Sequence, residues 1–423
     1  MPIVCLALAS TTSAEIVFDW IDVGDPGNPV NPLPKHDRTS GYGAVDYTFR
    51  LGKYETTNLQ FTEFLNAVAA TDPNELYDED MASRLEGGIT RTGDSGSYTY
   101  SVKPNMGKKP VNFVSWFDSA RFANWLHNDQ PVGVQDASTT EDGAYTFSGP
   151  DTVSTRKSGA RFFLPDEHEW DKAAFYEPGA DTLNGDGWWS HPSRSDIGVV
   201  FPSVASVDAT GNVTNPGPNV VVFRRTANWN GSTSGNVATV GSAGNESYYG
   251  ARDMPGNVFE WVTADPSKPD PNGWGPYTVR GGSFFSTGHL RSSERNLVHH
   301  HNHGEVSRFV GFRLAAASLD PDSADFNHDT LITEVDLELW EQSYGNSIVG
   351  DADNDGDTDG ADFLAWQRQV AGGAPLTSAH TSVPEPTTLT LALLLLVGAG
   401  CIRSGKCPYH QHATPLWLSL WTL

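Results

Sequence analysis

From residue 6 to residue 400 the chain contains no cysteine; its three cysteines are Cys5, Cys401 and Cys407. No disulfide can therefore staple the body of this 423-residue chain, which carries 42 Gly and 27 Pro. A mass of 45.8 kDa exceeds one typical core, so one large domain with smaller appendages is expected. Aromatic residues make up 11% of the chain, which describes a loop-rich globular protein and not a disordered one. The formal charge is −25, and from Asp320 to Asp362 there are 14 acidic residues and no Lys or Arg. Such a field repels nucleic acid and attracts divalent cations. Nucleic-acid binding is not expected.

Residues 15–46 are rich in Gly, Pro and Asn and read as turns. The run from Phe49 to Thr57 alternates like a strand. It hands over to a helix in which Leu59, Phe61, Phe64, Leu65 and Val68 recur at helical spacing. A second helix is expected over 115–128, where Phe117, Ala120, Arg121, Asn124 and Trp125 share neighbouring faces. A third begins within 163–176, with Pro165 at the helix start and acids in the first turn. From 177 to 250 the pattern dissolves into Gly/Asn/Ser-rich segments with a few short strands. Few regular elements and many ordered loops favour an α+β class over a doubly wound sheet.

Seven blocks follow one another in order: KYETTNLQFTEFLN (53–66), PVNFVSWFDSARFANWL (110–126), ARFFLPDEHEWDKAA (160–174), ANWNG (227–231), GARDMPGNVFEWV (250–262), RGGSFF (280–285) and GFRLA (311–315). Together they resemble the formylglycine-generating enzyme (sulfatase-modifying factor) family over residues 43–317. The resemblance implies a variant C-type-lectin fold dominated by loops, with little regular sheet. Asp253 and Glu260 bracket a Gly-Asn turn whose carbonyls can join carboxylate oxygens around a hard cation. The family implies a calcium here, taking Asp253, the carbonyls of Gly256 and Val258, and Glu260. It implies a second at Asn228 with the Trp229 carbonyl. The other reading is that Asp253 and Glu260 bond the arginines of the RGGS and GFR blocks.

In catalytically active relatives a cysteine pair after the RGGS-type segment binds copper(I) and activates oxygen, oxidising a substrate cysteine to formylglycine. Here Ser283 matches the family's active-site serine, Ser286 stands where the first cysteine would be, and the second has no counterpart. A hydroxyl is a hard, neutral ligand and does not replace a soft thiolate. Copper and formylglycine generation are not expected. The segment HHHNH offers His299, His301 and His303, with His289 nearby, as imidazoles suited to iron, zinc or copper. Adjacent loop residues alternate in direction, so a polar surface loop is the plainer reading. Some relatives of this domain are attached to nonheme iron enzymes, whose histidines come from a separate helical domain in a His-x3-His-x-Glu pattern. This chain has no such pattern. Glu167-His168-Glu169 makes no HExxH motif and reads as structural.

Further on, Asp325, Asn327, Asp329 and Asp336 occupy positions 1, 3, 5 and 12 of an EF-hand-type loop, with Leu331 at the carbonyl position. Asp351, Asp353, Asp355, Asp357, Asp359 and Asp362 repeat the pattern 26 residues later. Each loop precedes matched apolar residues: Leu337, Trp340 and Tyr344, then Phe363, Trp366 and Val370. A duplicated loop-then-helix unit with Asp at the twelfth position resembles a dockerin pair. That implies a calcium-folded all-α module, either docking to a cohesin-like partner or serving as a plain surface module.

Both ends read as signals. Residues 1–14 hold a short apolar run and small residues before a cleavage point after Ala14; no basic residue precedes the run, so either the start is truncated or the signal is weak. VPEP (383–386), an uncharged stretch from Thr387 to Ile402, then Arg403 and Lys406 resemble a PEP-CTERM sorting signal of bacterial exported proteins. The expected fold is α+β: a loop-rich variant C-type-lectin domain over 43–317, then a small all-α dockerin-like EF-hand pair over 320–372. A linker over 373–383 and a sorting or membrane segment over 384–406 complete the chain. The expected protein is exported, at the bacterial cell envelope or extracellular, and stabilised by calcium. It lacks the catalytic cysteine pair and binds a peptide or glycan, with a cohesin-like protein or an envelope component as partner. The alternative is an oxygen-dependent oxidoreductase of the formylglycine-generating type (sulfatase maturation), or a nonheme metal oxidase, with a divergent metal site.

Overall fold

The computed structural model describes residues 16–35, 39–180, 182, 185–196, 202–268, 277–287, 306–318, 324–326, 332–345, 347, 349–352 and 357–372. They form two compact units, one ending at Ser318 and one beginning at Ala324. The expected signal, linker and sorting segments lie outside the described residues. So do Asn327, Asp329, Leu331, Asp353, Asp355, His289, His299, His301 and His303. Among the described residues no helix is long and apolar enough to cross a membrane.

The first unit mixes short strands and helices, as the α+β reading expects. In order they are β1 (Trp20–Val23), β2 (Phe49–Gly52), α1 (Asn58–Val68), α2 (Asp80–Ser83), β3 (Ile89–Thr92), β4 (Thr99–Val102) and α3 (Trp116–His127). Then come β5 (Phe147–Gly149), β6 (Thr152–Val153), β7 (Phe162–Phe163), α4 (Glu167–Phe175), β8 (Ser203–Val204) and β9 (Val220–Val221). β10 (Phe259–Thr263), β11 (Tyr277–Arg280), β12 (Val310–Gly311) and β13 (Ala315–Ala317) complete it.

Three helices start on reciprocal capping boxes. Thr57 with Gln60, Ser115 with Asp118 and Asp166 with Glu169 each satisfy two backbone N–H groups that an open helix end leaves orphaned. Pro165 precedes the cap Asp166 and so stands outside the first turn of α4, where the sequence reading had placed it. α1 and α3 pack through aromatic rings: Phe122 meets Phe61, Phe64, Trp125 and Phe312 at centroid distances of 5.2 to 5.8 Å. α3 is buried from Trp116 to Leu126 on every face. Its polar side chains therefore need partners. Arg121 pairs with Glu141 at 2.7 Å, and Asn124 donates to the carbonyls of Thr140 (2.7 Å) and Tyr145 (2.9 Å).

Two sheets carry the motif blocks to one place. The first has the order β1-β2-β13-β7, all antiparallel, so the last strand of the domain lies between β2 and β7. The second has the order β11-β10-β12. In it Glu260 faces Arg280 across an antiparallel pair and Gly311 across a parallel one. The NVFEW, RGGS and GFR blocks thus lie side by side.

The second unit holds α5 (Glu334–Ser343) and α6 (Gly360–Gly372). Trp340 Nε1 donates to the Asp359 carbonyl ahead of α6 (2.8 Å), and Trp366 Nε1 to the Thr333 carbonyl ahead of α5 (2.9 Å). Asp336 accepts from the Thr333 N–H and Asp362 from the Asp359 N–H, each at 2.7 Å. Residues 26 apart therefore do the same work in each half. The apolar repeat is a repeat of contacts.

Candidate functional site

The turn before β10 ties four segments together. Gly256 has φ +87°, and a Cβ there would stand 2.5 Å from the Val222 carbonyl oxygen, so glycine is required. The neighbouring Asn257, also left-handed at φ 57°, donates its N–H to the Val222 carbonyl (2.9 Å) and accepts from the Phe284 N–H (2.7 Å). Its side chain accepts from the Ala238 N–H (2.9 Å) and donates to Glu55 Oε1 (3.0 Å).

Glu260 is fully buried and held by cations and donors of the chain itself. Arg313 grips it with a fork, Nη2 to Oε1 at 2.6 Å and Nε to Oε2 at 2.7 Å, and Trp170 Nε1 donates to Oε2 at 2.7 Å. Asp253 accepts from the Gly241 N–H. Glu260 is the carboxylate that the family implies as a calcium ligand with Asp253 and the carbonyls of Gly256 and Val258; here both its oxygens are engaged, and a guanidinium fork brings positive charge to them. Its pair with the arginine of the GFR block is the contact that the other reading names. The second arginine differs: Arg280 pairs with the buried Asp171, which also takes Lys35 at 2.7 Å.

Sequence reasoning missed Glu55, a buried carboxylate of the KYETT block. Its Oε2 makes no hydrogen bond. Burial, then the charge of Asp253, pushes Glu55 well above the usual carboxylate range. Burial, opposed by the Gly241 hydrogen bond and by Arg313, pushes Asp253 up to about 6. Three buried carboxylates thus face one buried guanidinium. Only the lone Glu in KYETT signalled it, and nothing local marks that Glu as buried.

At the other expected calcium position, Asn228 Oδ1 accepts from the Gly235 N–H (2.9 Å) and the Trp229 carbonyl from the Ser232 N–H (3.0 Å). Both oxygens close their own loop. Glu167, His168 and Glu169 are structural as well. Glu169 takes Arg156 at 2.9 Å and Tyr47 Oη at 2.7 Å, His168 meets Asp265 at 3.0 Å, and Glu167 accepts from the Asp265 N–H at 3.1 Å.

Beyond β11 the chain turns through Ser283 and Ser286. Ser286 donates its N–H to the Ser283 carbonyl (3.0 Å), and its Oγ accepts from the Ser283 N–H (3.0 Å). The two hydroxyl oxygens stand 3.5 Å apart. This donor set does not fit copper(I), which takes thiolates.

A cleft of about 830 Å³ opens elsewhere on the unit, lined among others by Tyr77, Tyr98, Arg91, Phe117 and Asp118. Arg91 lies over the Tyr77 and Tyr98 rings at 4.6 and 4.4 Å. Burial pushes Asp118 up to about 7, against hydrogen bonds from the Ser115 backbone and hydroxyl. A folded-state value raised above the ordinary 3.8 favours the fold below about pH 4, and that contribution is lost as pH rises through 7. Asp118→Asn keeps an acceptor for Ser115 and removes the charge. Chemical denaturation should therefore find the variant equal to the parent near pH 4 and more stable by about 2–4 kcal/mol at pH 8. Equal stability at pH 8 counts against the buried charge.

In the second unit the structure places ligand atoms of Asp357, Asp359 and Asp362 within 4.8 Å of one another. Asp362 is buried; its Oδ1 accepts from the Ala352 N–H at 2.6 Å and its Oδ2 from the Asp359 N–H at 2.7 Å. Oxygen-only donors at this spacing fit a hard divalent cation. Asp336 and the buried Asp325 belong to the first loop; Asp351 belongs to the second.

A model of the sulfatase-modifying factor enzyme 1-like domain matches residues 43–318. Hercynine oxygenase of Mycolicibacterium smegmatis is 26% identical over 295 residues, which are 63% of this chain and 53% of that protein. The chain spans about half the length of this curated relative. Among solved structures, CarF is similar over 71% of this chain and 99% of its own (18% identity, TM-score 0.40). Treponema denticola variable protein 1 is similar over 73% and 98% (17% identity, TM-score 0.44), and PvdO from Pseudomonas aeruginosa over 71% and 92% (17% identity, TM-score 0.31). At these TM-scores the likenesses carry no argument. The family model covers well over half of the chain, and its blocks build the sheet around Glu260, so this chain belongs to the family of the sulfatase-modifying factor enzyme 1-like domain.

Proposed function

We propose that this protein is an exported, noncatalytic member of its family that binds a peptide or glycan through the first unit. The observation that carries the reading is the Ser283–Ser286 turn. Where the first cysteine of an active relative would stand, the Ser286 hydroxyl accepts from the Ser283 N–H of its own turn. The cleft beside Tyr77 and Tyr98 has the size of a ligand site, with aromatic rings set among acidic side chains. In the second unit Asp351, Asp357, Asp359 and Asp362 would hold calcium, the cation supplying charge neutralisation to a dockerin-like pair. Export and the envelope or membrane location rest on the two sequence ends alone.

The oxidoreductase alternative draws on the relative named as an oxygenase. A peptide and glycan array probed with the full chain tests the leading reading. Saturable binding to one ligand class is the expected result. A blank array would leave a domain kept for structure alone and would end the binding proposal.

A further inference from the structure

Against the Ser283–Ser286 turn the chain sets two consecutive arginines. The Arg224 N–H donates to the Ser286 carbonyl and the Arg225 N–H to the Phe284 carbonyl, each at 2.8 Å. Both residues are left-handed, with φ of 59° and 62°. That region is costly for residues with a Cβ, and strain of this kind collects at ligand-binding sites. Both residues are exposed. The Arg225 guanidinium lies 3.6 Å from the Phe285 ring centre, and the Arg308 guanidinium lies 5.3 Å from the same ring and 4.6 Å from Phe309. Two guanidinium groups on one ring repel each other inside a screening length of about 10 Å. Among the described residues Arg308 pairs with Glu86 at 3.4 Å. Among the described residues no carboxylate stands within ion-pair distance of Arg224 or Arg225.

We propose that Arg225 and Arg308 form a receptor for a single oxyanion group (carboxylate, sulfate or phosphate) carried by the ligand of this domain. Guanidinium forks match such groups bidentately, and the phenyl rings hold both forks in place. The inference deepens the binding function proposed above and rests on it.

Calorimetric titration of the full chain with sulfate, phosphate and acetate, at constant ionic strength, tests it. One of the three anions should bind saturably, and the best of them names the group. Arg225→Gln and Arg308→Gln should each weaken that binding by about tenfold or more, with circular dichroism unchanged; Arg225→Lys should fall between. Absence of saturable binding by the parent would overturn the proposal. So would unchanged affinity in both Gln variants, which would mark the anion as adventitious. Repeating the peptide and glycan array with Arg225→Gln separates the two ideas. Hits that survive in the variant leave the binding function standing and remove the oxyanion receptor.

Discussion

Replacing Arg313 with Met should leave the first unit unfolded at neutral pH. The guanidinium makes two bonds to Glu260 and donates to the carbonyls of Gly52 (3.0 Å), Lys53 (3.2 Å) and Arg252 (2.8 Å). It therefore joins β2, the turn before β10 and β10 itself. Removing one partner of a buried pair costs about 3–5 kcal/mol, because the other charge stays behind uncompensated. Here Asp253 lies near the same guanidinium, so its charge loses its screen as well. A total stability of about 5–15 kcal/mol does not absorb that comfortably. The pH dependence distinguishes this mechanism from simple loss of packing. Asp253 has a folded-state value raised to about 6, so it favours the fold at low pH and opposes it as pH rises through about 6; Glu55 is raised in the same direction. The Met variant should therefore regain structure near pH 5, and Arg313→Lys, which keeps charge without the fork, should fall between. Near-ultraviolet circular dichroism across pH 5–8 reads this out. A Met variant as stable as the parent at pH 7.5 would show that the ion pair is dispensable.

Chelation should selectively loosen the second unit. Among the described residues its buried apolar side chains are Ala324, Phe326 and Ala352, with Ile332, Leu339, Trp340, Ala365 and Trp366 partly buried around them. A two-helix unit of this length needs a further staple, and without a cation Asp357, Asp359 and Asp362 repel one another at close range. A site saturated a hundredfold above its dissociation constant contributes about 2.7 kcal/mol, enough to decide whether α5 and α6 stay formed. Hydrogen exchange on the full chain should show these helices losing protection in EDTA and regaining it with calcium, while α1 and α3 remain unchanged. Equal protection of α5 and α6 with and without EDTA would refute the calcium-folded reading.

Helices were the most legible part of the sequence. Residue spacing marked α1 and α3, and Pro165 with the acids that follow it marked α4, because these signals are local. The 26-residue period was legible too, and Trp340 and Trp366 give it a physical meaning by bonding each other's helix start. The sheets were less legible. β12 and β13 are only two and three residues long, too short for alternation to register. What fixes them is long-range pairing between blocks far apart in the chain. The same limit applies to charge partners. The sequence offered Glu260 either a cation or an arginine, and only the three-dimensional placement of Trp170 and Arg313 brings the arginine to it. Lys35 and Arg280 converging on Asp171, and Glu55 beside Asn257, carried no local signal at all.

Oxygen uptake is the most direct test of the claim that this member of the family has kept the fold without the redox chemistry. The full chain would be incubated aerobically with copper(I) or iron(II), a thiol reductant and a cysteine-containing peptide, and bound metal measured after desalting. The account predicts no stoichiometric copper or iron, uptake no faster than metal and thiol alone, and an unmodified peptide. Stoichiometric metal together with protein-dependent oxygen consumption and oxidation of the peptide cysteine would contradict it.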